Sequence, residues 1–89
     1  MWKVSWSNKA RKQLSKLDIN IQKQVAKFID EKLITCSDPQ ILGKRLSGAT
    51  LGKFYRFRIG DYRLICDVQK QTITITVLKI GHRKEVYRG

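Results

Sequence analysis

Gly60-Asp61 stands between two alternating apolar runs, and this dipeptide constrains the fold more than any other pair of residues in the chain. A two-residue turn with glycine at its first position joins antiparallel strands tightly and fixes their register. Ile59 must then sit opposite Tyr62, and Arg58 opposite Arg63. Because side chains alternate along a strand, one face collects Tyr55, Phe57 and Ile59 with Tyr62, Leu64, Cys66 and Val68. A second turn at Lys70-Gln71 adds a third strand, 72–80, whose Ile73, Ile75 and Val77 join that face. So apolar a surface requires a cover.

The other face carries Arg56, Arg58, Arg63, Asp67, Thr74 and Thr76, with Phe54 and Ile65 among them. Arg58 opposite Arg63 is a like-charge pair, which costs a sheet up to about 1 kcal/mol. Asp67 alone offsets the arginines. A solvated sheet face ordinarily mixes signs, so converging arginines point to a missing anion. Arginine's planar fork matches phosphate oxygens.

The cover comes from the first half of the chain. Residues 2–6 alternate, with Trp2, Val4 and Trp6 on one side, and predict a short strand. Ser7 can cap a helix with Ala10, Leu14 and Leu17 on one face. Asp18 offers a second cap, for a helix running to about Thr35 with Ile21, Val25, Phe28, Ile29 and Leu33 as its stripe. Residues 36–52 hold the only proline and read as irregular, pinned by Leu42, Leu46 and Leu51. The order is β-α-α-β-β-β. It predicts an α+β fold in which the N-terminal strand, a helical hairpin and a three-stranded antiparallel meander form one sheet with helices on one face. At 89 residues this is a single domain, 1–89.

Lys and Arg number 19 against 7 Asp and Glu, a net charge of +12. The charge is spread along the chain, so the fold itself presents a positive surface suited to polyanions. No apolar run approaches the roughly 20 residues that cross a bilayer. MWKVSWSNKARK holds no continuous apolar stretch ahead of a cleavage site, and no helix joins a bulky apolar face to a basic one. A cytoplasmic location with no membrane partner is expected. Cys36 and Cys66 lack any CxxC spacing, and one histidine cannot complete a zinc finger, so reduced thiols and no metal or other cofactor are expected. After the last strand, His82 is the side chain whose ordinary pKa lies nearest neutrality, and Tyr87 supplies a phenol able to donate, accept or stack.

Leu46-Ser47-Gly48, Tyr55-Arg56-Phe57-Arg58, Gly60-Asp61-Tyr62-Arg63-Leu64-Ile65 and Ile80-Gly81-His82-Arg83 through Val86-Tyr87 together resemble the RelE toxins of bacterial toxin–antitoxin pairs. With the helical hairpin ahead of them, the resemblance spans essentially the whole chain. It implies a toxin that enters the ribosomal A site and cuts mRNA without a metal. The message's own 2′-hydroxyl attacks the neighbouring phosphate, leaving a 2′,3′-cyclic phosphate and a 5′-hydroxyl. It also implies a cognate, RelB-like antitoxin, acidic where it meets the toxin, with operator DNA reached only through that antitoxin.

Carried over by position, Arg56 and Arg58 match the family's paired basic residues. Arg63 matches the arginine after its Gly-x-Tyr turn, Arg83 the arginine at the leaving oxygen, and Tyr87 the tyrosine at the 2′-hydroxyl. Lys53, Lys84 and Arg88 are expected to add RNA contacts. In the best-known pattern the paired positions are lysines. Arginine stays protonated at any working pH, so Arg56 and Arg58 can clamp charge but cannot remove a proton. That leaves Tyr87 or His82 as the base, and imidazole is the easier one, since a phenol's ordinary pKa is about 10. ParE-like toxins, which share the fold and poison gyrase without cutting RNA, are the alternative, as is a plain basic RNA-binding module. The ParE-like reading would not need Arg56, Arg58, Arg63, Arg83 and Tyr87 together, and the RNA-binding module predicts tight, salt-sensitive RNA binding with no cleavage.

Overall fold

The computed structural model describes residues 1–46 and 54–87. Five strands form one sheet in the order β1-β5-β4-β3-β2: β1 (Lys3–Trp6), β2 (Lys44–Arg45), β3 (Phe54–Ile59), β4 (Tyr62–Gln69) and β5 (Thr74–His82). Helices α1 (Asn8–Ser15) and α2 (Ile19–Phe28) cross the apolar face, and α3 (Pro39–Leu42) leads into β2. The α+β class and the helical cover match expectation.

Both predicted caps form. Ser7 Oγ accepts the Ala10 N–H at 3.1 Å and donates to the Leu78 carbonyl at 3.2 Å, tying the start of α1 to β5. Asp18 Oδ1 accepts the Asn20 N–H at 2.8 Å. From α2 the chain continues into a π-helical turn, Ile29–Leu33, closed by the Ile34 N–H on the Ile29 carbonyl. The stripe survives this change of pitch: Val25, Ile29 and Leu33 are buried against Phe57, Leu64, Cys66, Ile75, Val77 and Ile80. Val4 and Trp6 reach the same layer because β1 runs parallel to β5, with Val4 beside Ile75 and Trp6 beside Val77.

The first hairpin has the expected register, Ile59 opposite Tyr62 and Arg58 opposite Arg63, with Gly60 at φ +58°. The second does not. Lys70-Gln71 contains no glycine or asparagine to take positive φ, so the chain uses a longer connection and Gln69 pairs with Thr74. Ile73 bears the positive φ, +51°, and is 49% exposed rather than in the core. The shift is two residues, so Ile75 and Val77 keep their face. A β-bulge follows, with Ile65 beside Lys79 and Cys66 beside Val77, leaving Leu78 unopposed.

The segment expected to be irregular holds two elements. Asp38 Oδ1 caps α3 through the Gln40 N–H at 3.0 Å, with Pro39 at the first helical position. Lys44 and Arg45 then pair with Arg56 and Tyr55. Leu42 is exposed and pins nothing, whereas Leu46 is half-buried and donates its N–H to the Phe54 carbonyl at 2.8 Å. The expected anchor at Leu51 lies outside the described residues. The close approach comes at Gly43, where a Cβ would lie 2.6 Å from the Phe57 ring and 2.7 Å from the Arg56 carbonyl.

Both cysteines are free. Burial pushes the Cys66 thiol well above the ordinary range, and burial raises Cys36 as well.

Gly43→Ala should destabilise the fold by about 1–3 kcal/mol, since backbone as well as ring must move. Thermal unfolding should show a fall in Tm of roughly 5–20 °C. Native protein should react with a thiol reagent at Cys36, and at Cys66 only on unfolding. Because the folded Cys66 thiol resists ionisation, its contribution is complete below the unfolded thiol pKa of about 8.5 and is lost as pH rises above it. Cys66→Val should flatten that alkaline decline in denaturant titrations.

Candidate functional site

The Gly60-Asp61 turn brings Arg58, Arg63 and Arg83 together at one end of the sheet. Arg58 and Arg63 flank it as a cross-strand pair, and Arg63 lies beside Gly81 of β5. The Arg83 N–H donates to the Asp61 carbonyl at 2.8 Å, and Arg83 Nε stands 3.9 Å from Asp61 Oδ1. The C-terminal segment turns back immediately: the Glu85 and Val86 N–H groups both donate to the His82 carbonyl at 2.9 Å. Val86 lies over Gly81, where even a Cβ would meet it at 3.5 Å, and is buried.

This second layer corrects the reading of Arg63. Expected on an open arginine face, it is only 7% exposed. Its Nη1 donates to the carbonyls of Gly60, at 2.7 Å, and Tyr62, at 2.8 Å. Its Nε is buried without a partner. The like-charge clash is thereby relieved, because Arg63 turns into the negative ends of the turn's peptide dipoles while Arg58 remains exposed. Arg63 is the turn's staple, not an open phosphate clamp. Ile65, expected beside the arginines, is buried too.

His82 is also placed otherwise than its neighbours in sequence imply. It pairs with Tyr62, on the helix-facing side, and its ring meets Tyr62 edge-on at 5.6 Å between centroids. Its Nδ1 accepts the Lys84 N–H at 3.2 Å, which leaves Nε2 to carry the proton of the neutral ring. A cavity of about 370 Å³ on that side is lined by Gln13, Lys16, Tyr62, Lys79, His82 and Glu85. Burial, then the charge of Lys9, lowers the pKa of Lys79.

Arg56 is half-buried, and Arg58, Arg83, Lys84 and Tyr87 are exposed, Tyr87 by 49%. Lys53 and Arg88 lie outside the described residues. Arg56 and Arg58 make no ion pair among the described residues. On β3, Arg56 stands beside Lys44 of short β2 and Arg58 beyond it; cavities of about 420 Å³ and 460 Å³ open there towards α2, Arg58 lining both and Arg56 the larger. Lys27, Lys32 and Lys44 line those cavities with them, and the sequence reading passed over all three. The helical stripe placed Val25, Ile29 and Leu33 inward, but only the crossing of α2 over β3 reveals which flank of the helix meets the arginines. No group of three or more metal-ligating side chains occurs among the described residues. No helix among them is long and apolar enough to cross a membrane.

A small basic α+β chain with this sheet order, and arginines gathered at the β3–β4 turn, is a toxin of the RelE/ParE superfamily. Residues 4–87 match the model of the ParE toxins of type II toxin–antitoxin systems, and the chain belongs to that family. It is 32% identical over 85 residues to toxin RelG of Mycobacterium tuberculosis, covering 96% of this chain and 94% of that one. Among solved structures it is similar to the RelBE2 toxin–antitoxin complex of M. tuberculosis, at 29% identity and a TM-score of 0.81, covering 92% of this chain and 98% of the other. The isolated E. coli RelE toxin, at 20% identity and a TM-score of 0.71, shares the fold over 92% of this chain and 84% of its own.

If Arg63 staples the turn, Arg63→Ala should cost about 2–4 kcal/mol, since two carbonyls lose charge-assisted bonds. Arg58→Ala should stay within about 0.5 kcal/mol of the parent. Urea denaturation of the two variants separates the roles.

Proposed function

We propose that this toxin is a ribosome-dependent endoribonuclease that cuts mRNA in the A site. The reading is carried by half-buried Arg56 and exposed Arg58, without ion pairs among the described residues, on the strand leading to a turn that also holds Arg83, with Tyr87 on the following segment. The 32% identity to toxin RelG supports it, as does the retention of Arg83 and Tyr87 in the resembling C-terminal motif.

In the proposed step the 2′-oxygen of one nucleotide loses its proton and bonds to the adjacent phosphorus. The bond from phosphorus to the 5′-oxygen breaks, and that oxygen takes up a proton from water. The products are a 2′,3′-cyclic phosphate and a 5′-hydroxyl. Arg56 and Arg58 hold the non-bridging oxygens as charge builds on them. Arg83 stabilises the departing oxygen. Tyr87 orients the 2′-hydroxyl and relays its proton, taking it up as the phenol passes its own proton to water. His82 is not given that role, since its Nδ1 is occupied and its ring lies on the helix side. Arg63 acts at one remove, by holding the turn.

The carboxylate beside these groups, Asp61, faces Arg83, and His82 Nδ1 accepts the Lys84 N–H, so the ribosome supplies much of the catalysis by positioning the message. We propose a RelB-like, acidic antitoxin as the chain's partner, drawn by the +12 charge, with operator DNA reached through it. This activity belongs in the cytoplasm. A second reading, a ParE-type toxin that inhibits gyrase without cutting, is favoured by the family model itself.

Primer extension on programmed ribosomes should show A-site cuts carrying 2′,3′-cyclic phosphate ends. Arg83→Ala and Tyr87→Phe should each slow cutting by about 10²–10⁴-fold. Intact message from folded toxin, together with inhibited gyrase, would select the second reading.

A further inference from the structure

The cavities at the open edge of β3 share Phe28, Lys32 and Arg58, so they form one continuous groove between α2 and β3. Lys27 stands on its α2 side, and Lys44 on β2, in register beside Arg56. That pairing is a second like-charge neighbour pair in the sheet. Lys27, Lys32, Lys44, Arg56 and Arg58 make no ion pair among the described residues, although Glu31 lines the same groove. Phe28 is held by the buried Phe57, ring centroids 6.1 Å apart, and presents a half-buried aromatic surface between the cations.

Unpaired cations along a groove with an aromatic ring in its wall are the chemistry of a single-stranded nucleic-acid path. We propose that this groove holds the RNA backbone that continues away from the cut phosphate, with Lys27, Lys32 and Lys44 as its phosphate contacts. The inference rests on the endoribonuclease reading and extends it, because Arg56 and Arg58 belong both to the proposed site and to the groove. A strand held by them at the scissile phosphate runs directly along Lys32 towards Lys27 or Lys44. An acidic protein segment is the competing occupant. RNA is favoured because the cations lead continuously out of the cutting site.

The experiment compares the parent with Lys27→Gln/Lys32→Gln/Lys44→Gln, none of which enters the chemistry or the buried core. Fluorescence anisotropy would follow a short 2′-O-methylated oligoribonucleotide, which cannot be cut, across a salt series. Each lost phosphate contact on a single strand lowers the slope of log K against log salt by about 0.7. The variant should lose about 1.4–2.1 in slope and bind at least tenfold more weakly. On programmed ribosomes its KM for cutting should rise while kcat stays within about twofold. Empty small ribosomal subunits form a second binding arm. Loss on the oligonucleotide supports the message path, whereas loss on empty subunits alone assigns the groove to ribosomal RNA and overturns the proposal. Unchanged affinity on both overturns the proposal, as does weakened binding confined to an acidic peptide. If the parent cuts no message yet the variant still loses RNA affinity, the groove stands and the endoribonuclease reading falls.

Discussion

The buried guanidinium of Arg63 determines what the rest of the site can be. A buried charge persists only where its bonds are satisfied. Here the carbonyls of Gly60 and Tyr62 supply two of them, which fixes the tip of the β3–β4 hairpin. The Arg83 N–H on the Asp61 carbonyl attaches the chain beyond β5 to the same tip. One turn thus positions Arg58 and Arg83 on rigid supports, although they come from separate strands. Val86 packs over Gly81 at the other end of that attachment.

The pattern of apolar residues disclosed most of this frame. Caps at Ser7 and Asp18, the stripe through Val25, Ile29 and Leu33, and the register across Gly60-Asp61 are local or period-determined features, and they read correctly. What failed depended on contacts remote in sequence. Arg63 is buried beside Gly81 of β5, a neighbour that no periodicity encodes. The turn after Gln69 carries no glycine, so its length was set by the pairing of Thr74 with Lys3 and Gln69, and Ile73 was displaced from the core. Short β2 arises because Lys44 and Arg45 meet an open edge of β3, a consequence of topology rather than of their own strand propensity.

The charge follows the same division. Its total was legible at once, and its focus was not. Separate readings of helix and sheet left the lysines of α2 as an ordinary solvated flank and the arginines of β3 as an isolated cluster. The fold sets Lys27 and Lys32 across a groove from Arg58, and β2 adds Lys44. Such clustering is held against its own repulsion by the packing of Val25, Ile29 and Leu33 beneath it. Apolar burial stabilises this layer whatever the charges do, at roughly 25 cal/mol per Å². The core therefore maintains a surface potential that the surface alone would disperse.

Arginine at both 56 and 58 separates two tasks on the proposed reading. A lysine can hold a phosphate and, with its pKa lowered, also move a proton; arginine can only hold. Asp61 is committed towards Arg83, and His82 has turned its Nδ1 to the Lys84 N–H. Tyr87 alone remains to meet the 2′-hydroxyl, and a phenol is a weak base at neutral pH. The barrier must then fall chiefly through orientation of the attacking oxygen and neutralisation of the phosphate, both of which need the message held in one conformation. Orientation can supply about 7–11 kcal/mol when reactants are fixed in line. A groove that grips the strand beyond the cut contributes to that orientation from the toxin's side, while the ribosome supplies it from the other. On the proposed reading cutting depends on a substrate held at both ends, and free RNA in solution is expected to be a poor substrate for the same physical reason.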